Sequence, residues 1–527
     1  MSIFSDASIQ KAISKISDRS ERSTDIQALV ATFVDVGMVP QINNTRNQII
    51  YGRRGSGKTH VLQVLANALS AEADTISVYI DCRTLGSSEQ FTDPKVEIPL
   101  RCLSLFKDLV HSLYNPLLEY IVDRGSAPAL DYLDEVVASV NRTEHKVQSM
   151  AVKESETISA EQKQGSQIEA KISSRPSVSG GFSSSIGETT QSTRSAEASH
   201  EVAEKIFFPD VHQKFKQFTD KLPCHMYVLI DEWASLPYDI QPYLAEFIKR
   251  AFFANPRITI KIASLEYRSN FSQRVDHGIL GFELGTEISA SLDLDDYFVY
   301  DRNPTIITNN FAEILMKHVR SLLPSDHLLT TYEISSEADF VRTFFSDSST
   351  FKELVRASEG VIRDLLNIFI KAYFTSQRRT MSSIDKRSVI ESAQQWFESD
   401  KSVSLDPAMN SVLKRIVEEV IGKRRARSFL LSREEENHQM IQRLFDARVL
   451  HVIKRGYSDK VNPGVRYNIY TLDYGTYVDL TNTSRAPDKD FDNGDEATDE
   501  VIVPFDDKRS IRRIILTPDI LNAPALG

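Results

Sequence analysis

The sequence predicts an α/β protein. It places a parallel, doubly wound sheet first, an all-helical segment next, and last a helical unit closed by a two-stranded hairpin. Three observations carry this. Apolar strand-like runs alternate with helix-period segments between residues 46 and 302. From Asn303 to Glu398 only the helical period remains, as in Phe311–Leu322, Ala338–Phe345, Phe351–Phe374 and Ser388–Phe397. From Asp406 to Leu480 helices give way to two strand-like runs around Pro463-Gly464. A length of 527 residues exceeds the ~250–300 at which a single core stops growing, so several domains are expected.

The elements follow in order. Residues 1–45 form a helical lead-in, with Ile26, Leu29, Val30 and Phe33 at helical spacing. The α/β core spans 46–302. It opens with a strand at Gln48–Tyr51, a glycine-rich turn, and a helix carrying Val61, Leu62, Leu65 and Leu69 on one side. A buried strand at Ser77–Ile80 and a long helix with Leu103, Phe106, Leu109, Val110 and Leu113 come next. Within the core, 141–205 is rich in Ser, Glu, Gln and Thr and poor in large apolar groups. Such a stretch cannot bury enough surface to offset its ordering entropy, and is read as a flexible insertion. Met226–Ile230 is a strongly apolar strand, Tyr243–Phe253 is helical, and Ile258–Ala263 is another strand. A polar helix and a last strand at Ile288–Leu294 complete the core. A helical lid occupies 303–400, the C-terminal unit 401–482 and a tail 483–527, in which Ile514–Leu516 is apolar enough to dock.

Composition bounds the function. A hydrophobic share of 41% and a charged share of 26% suit a globular protein. The net charge of −11 argues against a general nucleic-acid coat while allowing a local basic patch. Cys82, Cys102 and Cys224 are far apart and lack metal-ligand spacing, as in a reducing compartment. Met1–Lys15 lacks the apolar centre of a signal peptide, and no apolar run reaches membrane-spanning length. A cytoplasmic protein without a membrane partner is expected.

The densest chemical signal is Gly52-Arg53-Arg54-Gly55-Ser56-Gly57-Lys58-Thr59, which satisfies the phosphate-binding loop pattern G-x-x-x-x-G-K-[ST]. Glycines let the backbone wrap a phosphate without Cβ clashes, and amides at the helix N-terminus face the anion. Lys58 is expected to reach the β- and γ-phosphates of ATP and Thr59 to ligate magnesium, with His60 extending the cradle onto the helix. Tyr227-Val228-Leu229-Ile230-Asp231-Glu232 then delivers two carboxylates at the C-terminal end of a strand, where open α/β sheets bind ligands. Asp231 is expected to hold magnesium and Glu232 to polarise the attacking water of an ATP hydrolase. The long interval between these motifs is accounted for by the polar insertion.

Four further side chains are candidates. Ser264, at the end of the strand expected beside Asp231, can contact the γ-phosphate or the water, with Glu266 as the alternative and an ordinary strand end as the plain reading. Arg268 and Arg274, on the helix expected next, can reach a neighbour's nucleotide in an oligomer. Arg363, in Gly360-Val361-Ile362-Arg363, can point across a domain cleft at the γ-phosphate or simply pair with Asp364 or Glu359. In the C-terminal unit, Gly422–Arg427 is a dense basic run, and Ser432 is placed to cap a helix running to Ala447. Helices followed by a hairpin describe a winged helix. Lys423, Arg424, Arg425, Arg427, Lys454, Arg455 and Lys460 are its candidate contacts to double-stranded DNA. A protein-contact module is the alternative, since Glu434-Glu435-Glu436 repels DNA wherever it faces the groove.

On Tyr51–Thr59, Ile230-Asp231-Glu232-Trp233, the Gln241–Phe247 helix, Ile262–Phe271 and Gly360–Arg363, the chain resembles the origin-recognition-complex-like AAA+ ATPases, specifically their bacterial group, over about residues 45–480. The resemblance implies a P-loop AAA+ nucleotide-binding core, a helical lid and a DNA-contacting winged helix. It maps Lys58 and Thr59 onto the P-loop, Asp231 and Glu232 onto the Walker B pair, and Arg363 onto the second sensor. Trp233 and the insertion depart from compact initiators. Bacterial members look similar to ATPase components of anti-phage defence or mobile-element operons. That likeness implies a homo-oligomer with an effector protein from the same operon as partner. A partner-sensing scaffold ATPase and a replication-initiator-like protein are the alternatives.

Overall fold

The computed structural model describes residues 2–19, 25–86, 89–141, 206–222, 224–276, 278–300, 302–424, 426–458, 464–476 and 514–522. These fall in one unit, Met1–Asn141 with Phe207–Gly527, apart from Ile206 at the edge of a second, Arg142–Ile206. The flexible insertion expected at 141–205 lies, after Asn141, outside the described residues, as do Arg425 and Lys460.

The lead-in consists of α1 (Ala7–Lys15), α2 (Ile26–Thr32) and α3 (Val39–Ile42). Asp6 and Asp25 cap the first two by accepting the free amides of the opening turn. Asp6 also accepts from His327 at 2.8 Å and Tyr332 at 3.0 Å, and Tyr373 donates to the Ile3 carbonyl at 2.7 Å. The lead-in is thereby fastened to helices more than three hundred residues downstream.

The core contains β1 (Gln48–Tyr51), α4 (Lys58–Ser70), β2 (Thr75–Asp81), α5 (Ile98–Asp123), α6 (Pro128–Asn141), α7 (Phe208–Lys221), β3 (His225–Asp231), α8 (Gln241–Ile248) and β4 (Ile258–Ser264). It continues with β5 (Ser272–Val275), β6 (Gly278–Gly281) and β7 (Ser289–Asp293). Five strands form a sheet in the order β2-β3-β4-β1-β7, with every pairing parallel. Ile230 lies beside Ile262 and Tyr51 beside Ser264. The residue before the glycine-rich turn, the acidic pair and Ser264 therefore reach the same carboxyl edge. The near-continuous apolar strands follow from burial on both faces.

The segment after β4 departs from the expected polar helix. A single 3-10 turn, Glu266–Arg268, leads into the β5–β6 hairpin. Gly278 and Gly281 take φ of +138° and +98°, and a Cβ on Gly281 would stand 2.2 Å from the Phe271 carbonyl oxygen. A continuous helix cannot accommodate either glycine.

The lid is α9 (Pro304–Ser321), α10 (His327–Tyr332), α11 (Glu337–Phe344), α12 (Ser348–Ala357), α13 (Ile362–Arg378) and α14 (Lys386–Trp396). The stretch Phe351–Phe374 is two helices, not one. Glu359 and Gly360 adopt positive φ between α12 and α13, and a Cβ on Gly360 would lie 2.5 Å from the Phe298 carbonyl oxygen.

The C-terminal unit has α15 (Pro407–Val417), β8 (Ser428–Ser432), α16 (Arg433–Glu436), α17 (Gln439–Asp446), β9 (Leu450–Ser458), β10 (Arg466–Leu472) and α18 (Pro518–Asn522). This is the element order of a winged helix, with α17 in the recognition-helix position. Its antiparallel sheet has three strands, β8-β10-β9, where two were expected. Ser432 forms a capping box with Glu435, but the helix it caps stops at Glu436, and His438 caps α17 afresh. The tail pairs with β8: Leu430 N–H donates to Ile514 O at 2.7 Å and Leu516 N–H to Leu430 O at 3.1 Å.

Lid and winged helix meet at a buried cluster of charges. Lys401 stands 2.8 Å from Asp364 and 2.6 Å from Asp473, and both carboxylates are fully buried. Arg448 pairs with Asp364 and Asp400, and Trp396 donates to Asp364 at 3.0 Å. Burial alone would raise the Asp364 carboxyl, yet Arg448 and Lys401 outweigh it and hold it below the ordinary value. Removing one member strands the others in low dielectric. Lys401→Met is expected to cost about 3–5 kcal/mol of stability, read by denaturant unfolding. A loss below about 1 kcal/mol would show that water reaches the cluster.

Candidate nucleotide-binding site

β1 delivers the chain to a turn that glycine makes possible. Gly55 and Gly57 take φ of +83° and +96°, and a Cβ on Gly52 would stand 2.5 Å from Ser56 Oγ. Lys58, the first residue of α4, turns its Nζ back to donate to the Gly52 and Arg53 carbonyls at 2.8 and 2.9 Å. Burial lowers its pKa, against the opposing pull of Asp231 and Glu232. His60 Nε2 is 2.7 Å from the Leu29 carbonyl, which fixes α4 against α2. Burial lowers the His60 pKa, so the ring is neutral and donates.

Asp231 is fully buried at the end of β3. Its Oδ2 accepts from Thr59 Oγ1 at 2.6 Å and Tyr79 Oη at 2.8 Å, and its Oδ1 accepts from Glu232 N–H at 2.7 Å. Glu232 sits at φ +54°, a conformation costing a non-glycine residue ~1–3 kcal/mol. Burial, then the neighbouring Asp231, raises its carboxyl pKa.

Gly55, Gly57, Lys58, Thr59, His60 and Glu232 border a cavity of about 540 Å³. Its charged and polar lining includes Lys58, Thr59, Glu232, Arg83 and Arg363, and its apolar lining Ile16, Ala28, Leu29, Ile362, Leu322 and Leu366. A lining of both kinds suits a ligand with a phosphate chain and a purine ring. Among the described residues, no group of three or more His, Cys, Asp and Glu can hold a metal. Thr59 and Asp231 offer oxygen alone, so they fit a hard cation that brings its remaining ligands from phosphate and water, as magnesium does.

Arg363 lines the cavity, its N–H donating to the Gly55 carbonyl at 3.2 Å. Its guanidinium lies 3.9 Å from the Asp18 carboxylate. Ser264 is buried and its hydroxyl engages Ser269. Arg268 lies on the 3-10 turn and donates to Asp446 of α17 at 2.7 Å, while Arg274 is exposed on β5. Arg53 is buried and turns away from the cavity: it meets Asp295 at 3.0 Å, donates to the Glu359 carbonyl at 3.1 Å, and contacts His451 of β9. Arg54 lines the cavity, its pKa lowered by burial and by Arg268.

The basic candidates of the winged helix divide. Lys423 and Arg424 are exposed beside Glu419, and Lys454 is exposed on β9. Arg427 and Arg455 instead turn inward. Arg427 pairs with Glu359, and Arg455 bridges Glu266 at 2.6 Å and Asp293 at 3.3 Å. They are junction residues in this arrangement, and no side chain of theirs is offered to a phosphate.

The lead-in residues Ile16, Asp18 and Leu29, and Tyr79 and Arg83 around the end of β2, escaped the sequence reading. Tyr79 and Arg83 were findable, because β2 ends at the same carboxyl edge as β3. The lead-in carried only helical periodicity.

A glycine-rich turn between β1 and α4, an acidic pair ending β3, and β4 between those strands define a P-loop protein of AAA+ type. Residues 19–279 match the ORC-CDC6-like family model, and over that stretch the chain is ORC-CDC6-like. No curated protein matches it. Among solved structures it is similar to Cdc6p from Pyrobaculum aerophilum, at 10% identity and a TM-score of 0.32, over 89% of this chain and 96% of that one. It is also similar to an Aeropyrum pernix ORC2 protein in ADPNP–ADP complexes, at 9% and 0.31 over 89% and 96%. A third is an Aeropyrum pernix ORC1 protein in complex with DNA, at 12% and 0.27 over 90% and 96%. The fold assignment rests on the strand order and the loop. Among the described residues no helix is long and apolar enough to cross a membrane.

The tight seat of the lid on the loop is testable. A Cβ on Gly55 would stand 2.6 Å from the Arg363 Cβ at a φ only glycine takes easily. Gly55→Ala is expected to weaken nucleotide affinity at least ten-fold in a fluorescent-nucleotide titration, with circular dichroism unchanged. Wild-type affinity in that variant would show that the lid does not seat on the loop in solution.

Proposed function

We propose that the chain is an AAA+ ATPase that binds ATP with magnesium and uses turnover to switch how its winged helix is held, and thereby its hold on DNA. The observation that carries this is the 2.6 Å contact between Thr59 and Asp231 at the wall of a cavity also bordered by Lys58 and Glu232. In this reading Gly52, Gly55, Ser56 and Gly57 cradle the phosphates with Arg54 beside them, and Lys58 neutralises the β- and γ-phosphates. Thr59 and Asp231 would hold magnesium, which would supply charge neutralisation at the phosphates. Glu232 orients the water, its raised pKa suiting it to take a proton. Arg363 carries the state of the γ-phosphate to the lid. Ser264 is assigned the sensing role, acting by reorientation away from Ser269. Arg274, exposed on its hairpin, serves a neighbouring subunit of a homo-oligomer better than Arg268, which Asp446 occupies.

On DNA, the reading assigns the phosphate contacts to Lys423, Arg424 and Lys454, with Arg425 and Lys460 added from sequence alone. Affinity for a duplex then depends on nucleotide. A role in a bacterial anti-phage defence or mobile-element system, with an effector protein from the same operon, is the biological setting proposed from the family resemblance, with a replication-initiator-like role as the alternative. One observation favours a second reading, a partner-sensing ATPase without direct DNA contact. The α17 face is taken up by the core, with Tyr267 edge-on to Phe445 at 5.1 Å and Arg268 on Asp446.

Two experiments test these readings. Lys58→Ala is expected to lose ATP binding, and Glu232→Gln to keep it while turnover falls ~10²–10⁴-fold in a phosphate-release assay. Turnover in Glu232→Gln equal to wild type would remove the catalytic assignment. The triple substitution Lys423→Ala, Arg424→Ala, Lys454→Ala is expected to weaken duplex binding and lower its salt slope by about three in fluorescence anisotropy. Wild-type protein that binds no duplex with or without ATP would decide for the partner-sensing reading.

A further inference from the structure

Asp231 is held by more than its partner in the glycine-rich turn. β2 and β3 run parallel in register, Tyr79 beside Leu229 and Asp81 beside Asp231. From two residues back on the neighbouring strand, the Tyr79 hydroxyl donates to Asp231 Oδ2 at 2.8 Å. Thr59 donates to the same oxygen at 2.6 Å and Glu232 N–H to the other at 2.7 Å. A carboxylate has about four lone-pair sites. Three are filled here, two of them on Oδ2, so the group cannot rotate without losing donors.

The ring of Tyr79 also packs against the main apolar cluster. Phenylalanine would pack as well. The hydroxyl is what the carboxylate uses, and tyrosine is the aromatic residue that reaches two positions along the next strand and ends in an O–H donor.

We infer that Tyr79 is a positioning residue for the cation that accompanies the nucleotide, acting through Asp231. The inference rests on the nucleotide reading above. With Tyr79 fixing the carboxylate, the single Thr59 hydroxyl proton is committed to Asp231, and the lone pairs of Thr59 Oγ1 stay free for the cation. Without Tyr79, Oδ2 keeps one donor from a side chain that must itself serve the cation, and the carboxylate is free to swing. Partners that orient a metal's ligands typically change metal affinity by ~10–100-fold when removed.

The test is Tyr79→Phe in the full chain, with two titrations. ATP affinity is measured in EDTA, and manganese(II) affinity of the ATP-bound protein is measured by electron paramagnetic resonance. The expected result is unchanged metal-free ATP affinity within about two-fold and manganese binding weakened about ten-fold or more. Loss of packing would instead weaken both. Equal manganese affinity in wild type and Tyr79→Phe overturns the inference and leaves the nucleotide reading standing. Wild-type ATP affinity indifferent to metal overturns both. Should Tyr79→Phe unfold, 3-fluorotyrosine incorporated at position 79 gives a fluorine resonance. A shift on adding magnesium to the ATP complex supports the inference, and a resonance that does not move overturns it.

Discussion

The arrangement of this protein depends on charges that no single domain can satisfy. Asp364 comes from the lid, Lys401 from the segment after it, and Arg448 and Asp473 from the winged helix. Each is buried, and each finds its counter-charge across a boundary. Such a cluster adds little net stability over an apolar contact of the same size, because desolvation consumes most of the Coulomb gain. What it supplies is selectivity. A rigid shift of one domain separates several pairs at once, and few other orientations re-pair them in the dry interior.

The cluster also reaches the glycine-rich turn. His451 donates from Nε2 to Asp473 at 2.9 Å and accepts at Nδ1 from Arg53. Burial, then Arg53, pushes its pKa down to about 3, so the ring is neutral, as this pair of contacts requires. Arg53 extends from the glycine-rich turn, and its backbone carbonyl accepts from Lys58. In the proposed nucleotide reading, a phosphate that draws Lys58 forward would free that carbonyl, in the residue whose side chain contacts the winged helix. Nucleotide and domain arrangement would then share one residue, and any preference of ATP for one position of Lys58 would become a preference for one arrangement of domains.

Much of this was legible in the sequence. β3 and β4 are nearly continuous buried runs, and only burial on two faces explains them. The turn was legible because its glycines serve backbone conformations that other residues avoid. Where reading failed, the deciding interaction was distant. Ser272–Gly281 is polar enough for a surface helix, yet Gly281, packed against the Phe271 carbonyl, and Gly278, at φ +138°, make it a hairpin. β8 goes unread between the basic run and Ser432, because Phe429, Leu430 and Leu431 are too few to show a period, and their pairing with β10 spans some forty residues. Tyr79 looks like any aromatic residue of a buried strand until the register with β3 is known.

The basic residues carry the same lesson further. Charge and position single out seven, and the structure turns Arg427 and Arg455 inward. Sequence gives the charge but not the partner, and both arginines find carboxylates of the core or lid. Their burial does not make them inert. An interface built from ion pairs differs from an apolar one in what its opening costs: apolar surface stays unfavourable in water, whereas separated charges are rehydrated. Opening this junction would release Arg427 and Arg455 on the winged helix, which already exposes Lys454, and free α17 from Tyr267 and Arg268. The junction therefore covers Arg427, Arg455 and one face of α17 together, largely through contacts that water can replace. That is the property a nucleotide-driven switch needs, and an oily interface of equal area would lack it.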